Sequence, residues 1–296
     1  MTYTLKNEHL AIEIHSLGAE LKKVTHLQSN LDYLWHGGAD FWKRTSPVLF
    51  PIVGAVAGGR YLHEGQTYEL GQHGLARDMV FKLVSQTEAH ILFELTATPE
   101  SLARYPFDFK LSIAYELKET SVAVYWQVDN LNPNEMWFSI GAHPAFNVTL
   151  GEGDHIQDYE LEILGEKAGL ETYIFDNAKG LVTQEKVVLE AESNVLPLSK
   201  KLFETYPTLI FEDKTSVLLK TSGHGHGVQV DFEGFPYVGI WSPINEEGEI
   251  APFVCIEPWF GLADTKPESE EIKDKQGIVR LGVNEVFKAQ YTMTFK

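Results

Sequence analysis

The sequence has little of several things that define other classes of protein. It holds one cysteine, Cys255, among 296 residues, so no disulfide can form within the chain. No apolar run reaches the roughly 18–20 residues that a membrane-spanning helix needs. The N-terminal residues have neither the basic start nor the continuous apolar stretch of a signal peptide. These absences predict a cytoplasmic protein with no membrane partner.

Positive charge is also scarce. The chain has 24 Lys and Arg residues against 42 Asp and Glu residues, which gives a formal net charge of −18. A surface of that sign repels nucleic acid and anionic lipid, so we expect no nucleic-acid partner. Apolar residues make up 44% of the chain, which supplies a sizeable core and excludes a disordered protein. What remains is a folded monomer or homodimer whose partner is a small molecule or another protein.

Sequence typical of helices is confined to residues 99–105 and 197–203. Apolar residues instead alternate with polar ones, most clearly over residues 111–117 and 122–128. Side chains on a strand point alternately to opposite faces, so each run presents one apolar face to a core. The polar break at residues 118–120 predicts an antiparallel hairpin. Further strand-like runs cover residues 10–14, 91–95, 136–140, 187–189, 208–211, 217–219, 228–232, 238–241, 254–256 and 285–295.

The order of these elements indicates the fold class. No strand–helix–strand alternation is present, so a parallel sheet with covering helices is not expected. Many short strands separated by Gly, Pro and Asn favour an all-β fold, an antiparallel sandwich or barrel. There is no repeat of fixed period and no low-complexity linker, and one β domain of such length is ordinary. We therefore expect a single domain over residues 1–296.

Two titratable residues stand at the ends of strand-like runs. His143 precedes Pro144, which favours an extended backbone. Its imidazole can give or take a proton near neutrality, although a structural histidine is the more common case. Glu257 lies among apolar and aromatic neighbours, and buried carboxylates are rare without a partner or a task. Glu257 is thus either a functional carboxylate or half of an ion pair, for instance with Arg44 or Arg77.

A second group of candidates lies in glycine-containing or aromatic segments. His73 and Arg77 share a segment with two glycines, which allow tight turns and close approach of the backbone. Arg77 offers planar donors that suit hydroxyls or a carboxylate. Trp241 and Trp259 lie beside turn-like sequence and can stack on a ligand, whereas Trp42 is expected in the core.

Other patterns offer weaker support for function. His224 and His226 have the spacing that puts two imidazoles on one face of a strand, as a metal site needs. The three glycines around them favour a flexible turn, and no third ligand follows. No nucleotide-binding glycine pattern is present, and a lone Cys255 beside Ile256 is typical of a small buried residue. We expect no metal and no other cofactor, with a metal-dependent β-barrel enzyme as an alternative.

Together these residues resemble a known family. Residues 105–109 lead through the hairpin to residues 138–146, with His73-Gly74 upstream and Glu257-Pro258-Trp259 near the end. Their order and spacing resemble the aldose 1-epimerase (galactose mutarotase) family over nearly the whole chain. The opening residues 18–21 look most like its LacX-type branch.

The resemblance implies a fold and a set of roles. The implied fold is a galactose mutarotase-like antiparallel β-supersandwich with an open sugar-binding cleft. Glu257 matches the general base of the family, His143 matches its general acid, and His73 matches a second histidine that helps hold the sugar ring. Arg44 and Arg77 match positions where related proteins place arginines in the cleft.

The implied reaction interconverts the α and β anomers of an aldose. A base takes the proton of the C1 hydroxyl while an acid protonates the ring oxygen, and rotation about C1–C2 precedes closure. We expect Glu257 to be ionised and His143 protonated, facing each other across a pocket wide enough for a pyranose. Two alternatives stay open: a non-catalytic carbohydrate-binding or sensing protein that uses the same cleft, and a glycosidase, which normally needs a second carboxylate.

Overall fold

The computed structural model describes residues 1–165, 169–191, 193–268 and 270–296, and in them the chain is built mainly from antiparallel strands. The all-β fold that the sequence predicts is confirmed. The strands are β1 (Thr2–Lys6), β2 (Leu10–His15), β3 (Leu21–His26), β4 (Leu31–Asp32), β5 (Val48–Leu49), β6 (Arg60–His63), β7 (Gln66–Glu69), β8 (Lys82–Gln86), β9 (His90–Thr96), β10 (Phe109–Lys118), β11 (Ser121–Asn130), β12 (Met136–Phe138), β13 (Ile140–Ala142), β14 (Ala145–Asn147), β15 (Tyr159–Gly165), β16 (Glu171–Asp176), β17 (Leu181–Val188), β18 (Val195–Pro197), β19 (Thr208–Glu212), β20 (Lys214–Thr221), β21 (Val228–Asp231), β22 (Tyr237–Trp241), β23 (Phe253–Phe260), β24 (Val279–Leu281) and β25 (Val286–Phe295). The α-helices are α1 (Pro99–Leu102) and α2 (Lys200–Thr205), and short 3-10 turns cover Ala57–Gly59, Ala76–Asp78, Ile156–Asp158 and Ile272–Asp274.

The largest sheet has nine strands in the order β18-β15-β20-β21-β25-β11-β10-β9-β8. Near its middle lies the hairpin of β10 and β11, in which Leu111 pairs with Val128 and Ile113 with Trp126. These four side chains are buried, as the alternating pattern predicts. Glu119 turns the chain between the strands with a φ of 51°. The predicted hairpin is confirmed.

A second sheet carries the candidate site. Its strands run in the order β19-β22-β23-β13-β5, and β14 also pairs with β23. Gly239 of β22 lies beside Glu257 of β23, and Gly141 of β13 lies beside Trp259. The other sheets are the four-stranded β1-β2-β3-β4 and the pairs β6-β7, β12-β24 and β16-β17.

Aromatic packing joins the sheets and supports the site from behind. The buried ring of Phe50 lies 5.0 Å from that of Phe109 and 5.6 Å from that of Phe138, centroid to centroid. Burial of such rings is the main favourable term in folding. The Phe50 carbonyl accepts the backbone N–H groups of Leu75 and Ala76 at 2.9 and 3.1 Å. The core therefore holds the turn that follows His73.

Two strand predictions need correction. Residues 136–140 form two strands in different sheets, because Ser139 breaks the ladder and its N–H donates to the Pro51 carbonyl at 2.7 Å. The strand predicted over residues 254–256 continues to Phe260, so Glu257 lies inside β23 rather than at the end of a strand. This strand is buried on both faces, so the period-two pattern that marks half-exposed strands is absent from it.

The helices lie near the predicted segments. The first is shorter than expected, since α1 ends at Leu102. The second begins later, because Pro197 belongs to β18 and Ser199 is the N-cap whose hydroxyl accepts the Leu202 N–H. Over the described residues, none of the helices combines the length and the apolar character needed to cross a bilayer.

A buried ion pair ties together the segments around the site. Nζ of Lys275 lies 2.6 Å from Oδ1 of Asp264, and both residues are 5% exposed. The second carboxylate oxygen accepts the Ala57 N–H at 2.8 Å. The Asp264 N–H donates to the Ala55 carbonyl at 2.9 Å, and its carbonyl accepts the Val182 N–H at 3.0 Å. Asp264 thus joins the loop before β6 to strand β17.

We expect the substitution Lys275→Met to lower the free energy of unfolding by about 3 kcal/mol, since it leaves the Asp264 carboxylate buried without its counter-charge. Urea denaturation measures this. The matched control is Lys179→Met, because Lys179 is exposed and pairs with Asp176 at 3.0 Å on the surface, where such a pair contributes less than about 1 kcal/mol. Equal, small losses in both variants would contradict a structural role for the buried pair.

Candidate active site

Strand β23 places functional side chains on one face. Because side chains alternate along a strand, Cys255, Glu257 and Trp259 point to the same side of the sheet. Glu257 and Trp259 line a pocket of about 370 Å³, at the small end of the range for small-molecule sites. The same pocket is also lined by His73, His143, Arg77 and Trp241.

His143 and Glu257 are in direct contact. Nε2 of His143 lies 3.2 Å from Oε2 of Glu257, and the residues are 6% and 1% exposed. The sheet dictates this, since β13 and β14 precede and follow His143 and pair with β23 on either side of Glu257. The expected separation by the width of a pyranose is wrong. In the implied reaction both proton-exchanging oxygens are bonded to C1, so the acid and the base have to converge.

Burial governs the protonation of this pair. It lowers the pKa of His143 to about 3, and the positive charges of Arg77 and Arg44 act in the same direction. Burial also raises the pKa of Glu257 well above its usual range, with the neighbouring Trp259 indole opposing the shift. Both shifts favour the neutral forms, whereas the family resemblance implied a carboxylate and an imidazolium. In this neutral form the pair carries one titratable proton, on Glu257.

His73 presents a neutral donor to the pocket. Its backbone is left-handed, with a φ of 63°. Its N–H donates to the Gly54 carbonyl at 2.7 Å, and its Nδ1 accepts the Gly54 N–H at 3.1 Å. Burial lowers the pKa of His73 well below its usual range, and His143, Arg77 and Arg44 add to the shift. With Nδ1 occupied as an acceptor, the neutral ring carries its proton on Nε2.

Trp259 forms part of the pocket floor. A Cβ at Gly141 or at Gly239, on the strands that flank β23, would overlap the indole. The ring therefore lies flat across three strands, close to Glu257, and this position is available because both neighbours are glycine. A flat aromatic face suits the apolar C–H face of a sugar ring.

Two further indoles enclose His143. Trp42 stacks on the imidazole, with ring centroids 4.6 Å apart and an interplanar angle of 29°. Trp241 meets the imidazole edge-on at 5.5 Å. Both indoles line the pocket, so the expectation of Trp42 in the core is wrong. Its neighbours in the sequence give no periodic pattern that distinguishes a pocket indole from a core one.

The two arginines differ in position. Arg77 lines the pocket and donates from Nη2 to the Gln72 carbonyl at 2.7 Å. Burial lowers the pKa of Arg77 to about 10, which leaves the side chain charged at neutral pH. Arg44 is not among the pocket-lining residues and pairs with Asp78 at 2.8 Å. Neither arginine is the ion-pair partner of Glu257.

Two groups of residues have the side-chain types of a metal site. Both ring nitrogens of His224 are engaged, Nε2 with Asp154 at 2.9 Å and Nδ1 with the His226 N–H at 3.1 Å. In the part of the chain that the structure describes, the one group of three potential ligands is His143, Cys255 and Glu257, whose ligand atoms lie within 4.8 Å of one another. Burial raises the pKa of Cys255 well above its usual range, which favours the thiol over the thiolate that binds metal.

One wall of the pocket was not predicted from the sequence. Phe175, Asn177 and Val182, all from the hairpin of β16 and β17, line it together with Gln72 and Thr208. Only the end of β17 gave a strand signal in the sequence. Among the described lining residues, Glu257 is the one carboxylate, so a glycosidase with two facing carboxylates is not supported.

Comparison with known proteins identifies the family. The family model for aldose 1-epimerase matches residues 1–276. The plasmid-encoded protein LacX of Lactococcus lactis subsp. lactis is 31% identical over 301 aligned residues, which cover 99% of each chain.

Two solved structures superpose closely. The galactose mutarotase related enzyme from Lactobacillus acidophilus is 30% identical, with a TM-score of 0.91 over 100% of this chain and 97% of that one. A galactose mutarotase-like protein from Lactobacillus casei is 28% identical, with a TM-score of 0.93 over all of both chains. The galactose mutarotase-like β-supersandwich is therefore the fold of this protein. The chain belongs to the aldose 1-epimerase family.

Proposed function

We propose that the protein interconverts the α and β anomers of a monosaccharide, with Glu257 as general base and His143 as general acid. The observation that carries this proposal is the buried contact of 3.2 Å between the two side chains at the pocket. The family supports a mutarotase-like activity, and the names of the relatives from L. acidophilus and L. casei mention galactose mutarotase.

The contact suits the proton transfers of the reaction. Glu257 takes the proton of the C1 hydroxyl, and His143 gives its own to the ring oxygen, which opens the hemiacetal. Rotation about C1–C2 exposes the other face of the carbonyl, and the reverse transfers close the ring. Since both oxygens are bonded to C1, acid and base have to lie side by side. No covalent intermediate is needed.

The resting pair has to move its proton internally before the ring opens. Burial favours Glu257 as the carboxylic acid and His143 as the neutral imidazole. Transfer of that proton to His143 gives the carboxylate and the imidazolium that open the ring, and opening returns both groups to their neutral forms. The net charge of the pair stays at zero throughout, so no uncompensated charge is created in the buried site.

Other side chains of the pocket hold the sugar in this proposal. The His73 Nε2–H donates to a sugar oxygen, and Arg77 supplies charged donors beside it. Trp259 and Trp241 cover the apolar face of the ring. A pocket of about 370 Å³ has room for a single pyranose.

We expect Glu257→Gln and His143→Asn each to slow anomer interconversion by at least about tenfold to a hundredfold, because each removes one proton-transfer partner. Polarimetry on freshly dissolved α-glucose or α-galactose measures the rate after subtraction of the spontaneous reaction. Sugar binding, followed by the fluorescence of the pocket tryptophans, should persist in both variants.

The matched control is His224→Asn. His224 also contacts a carboxylate, that of Asp154 at 2.9 Å, but does not line the pocket. This variant should keep the parental rate. Parental rates in both pocket variants would overturn the assigned roles. A wild-type rate no faster than the spontaneous one, with sugar still bound, would favour the non-catalytic carbohydrate-binding alternative.

The proton count of the pair predicts an unusual pH dependence. Activity falls at low pH only when the pair gains a second proton. Because the pKa of His143 is lowered to about 3, this happens far below the pH at which an ordinary imidazole is protonated. Activity falls at high pH only when the pair loses its one proton. The raised pKa of Glu257 moves this loss to a higher pH than for an ordinary carboxyl group. We therefore expect kcat/KM to be constant from about pH 5 to pH 8. An inflection near pH 6.5, typical of a solvated histidine, would contradict a shared single proton.

A further inference from the structure

The β16–β17 hairpin forms a pocket wall that the proposed chemistry does not use. Phe175, Asn177 and Val182 line the pocket together with Trp259 and Ala263. The acid–base pair and the stacking residues Trp42 and Trp241 come from other elements. A sugar whose C1 lies at Glu257 therefore turns other ring positions toward this wall.

The hairpin is anchored along both of its strands. The Ile210 N–H donates to the Thr172 hydroxyl at 2.7 Å, which joins β16 to β19. The Tyr173 hydroxyl donates to Glu212 at 2.6 Å. The Val182 N–H donates to the carbonyl of Asp264, the residue of the buried ion pair. A wall fixed on both strands keeps its ligand-facing atoms in place.

The turn at its tip is closed by its own hydrogen bonds. The Gly180 N–H donates to the Asp176 carbonyl at 2.8 Å, and the Asp176 carboxylate pairs with the Lys179 ammonium at 3.0 Å. Gly180 adopts a φ of 68°, as a turn of this kind requires. Asn177 is exposed in this turn and lines the pocket, and within the described parts of the chain its side-chain amide makes no hydrogen bond to protein.

We infer that the hairpin tip is a hydroxyl-reading subsite, in which the Asn177 amide binds a sugar hydroxyl remote from C1 and Phe175 packs against the adjacent C–H groups. This inference rests on the proposed function for the placement of C1. A carboxamide both donates and accepts hydrogen bonds, which matches a hydroxyl. The position opposite C1 in a pyranose is C4, where glucose and galactose differ, so Asn177 sets the preference between these two sugars.

We expect Asn177→Ala to raise KM for the preferred sugar about three- to tenfold, the effect of one lost hydrogen bond, with kcat within about twofold of the parental value. The ratio of kcat/KM for glucose and galactose should shift by a similar factor. Asn177→Asp keeps the shape and the acceptor but loses the donors, so its KM should lie between those of the parental protein and Asn177→Ala.

The control is Glu185→Ala, which changes an exposed side chain on the same hairpin, away from the turn, that does not line the pocket, and it should leave both KM and the sugar ratio unchanged. An unchanged KM and sugar ratio in Asn177→Ala, or an equal change in Glu185→Ala, would overturn the inference. Equilibrium binding of glucose and galactose, read from tryptophan fluorescence, tests the subsite independently of turnover. If the wild-type protein proves inactive, the proposed catalysis fails, while a Kd unaffected by Asn177→Ala contradicts the subsite itself.

Discussion

The contact between His143 and Glu257 is the constraint on which the rest of the site depends. A carboxyl group and an imidazole, both almost sealed from water, lie 3.2 Å apart at the floor of a pocket. Neither charge alone is stable in such surroundings, but a pair with one proton is neutral in total. A buried neutral pair that can hold its proton on either member is suited to moving protons between two neighbouring oxygens.

The scaffold is arranged to keep that pair in place. β13 and β14 hold His143 beside β23, and flanking glycines let the Trp259 indole lie across the sheet next to the carboxyl group. The buried ion pair of Asp264 and Lys275 supports the site indirectly. Through Ala55, the carbonyl of which accepts the Asp264 N–H, the ion pair supports the loop of Gly54. Gly54 accepts the His73 backbone N–H and donates its own N–H to Nδ1 of His73.

Much of the fold and of the site was predictable from residue patterns and a family resemblance. The alternation in β10 and β11 predicted their hairpin and its buried face, and the resemblance selected Glu257, His143 and His73, which the structure brings into one pocket. The strand character of Glu257 was not predictable, because β23 is buried on both faces and shows no alternation.

Long-range packing explains the remaining differences between the sequence-based predictions and the structure. The stacking of Trp42 on His143 joins segments about a hundred residues apart, and nothing local distinguishes that indole from a core one. Asn177 lies in a polar turn that resembles any surface turn until the hairpin is placed on the pocket. Arg44 was expected in the cleft with Arg77, but its guanidinium pairs with Asp78.

We predict that the buried pair carries one proton through the neutral range. ¹⁵N NMR of the His143 imidazole in the sugar-free protein, titrated with pH and assigned by comparison with His143→Asn, measures this. The imidazole shifts should stay constant from about pH 5 to pH 8. A full titration of this ring near pH 6.5, as in an exposed histidine, would contradict it.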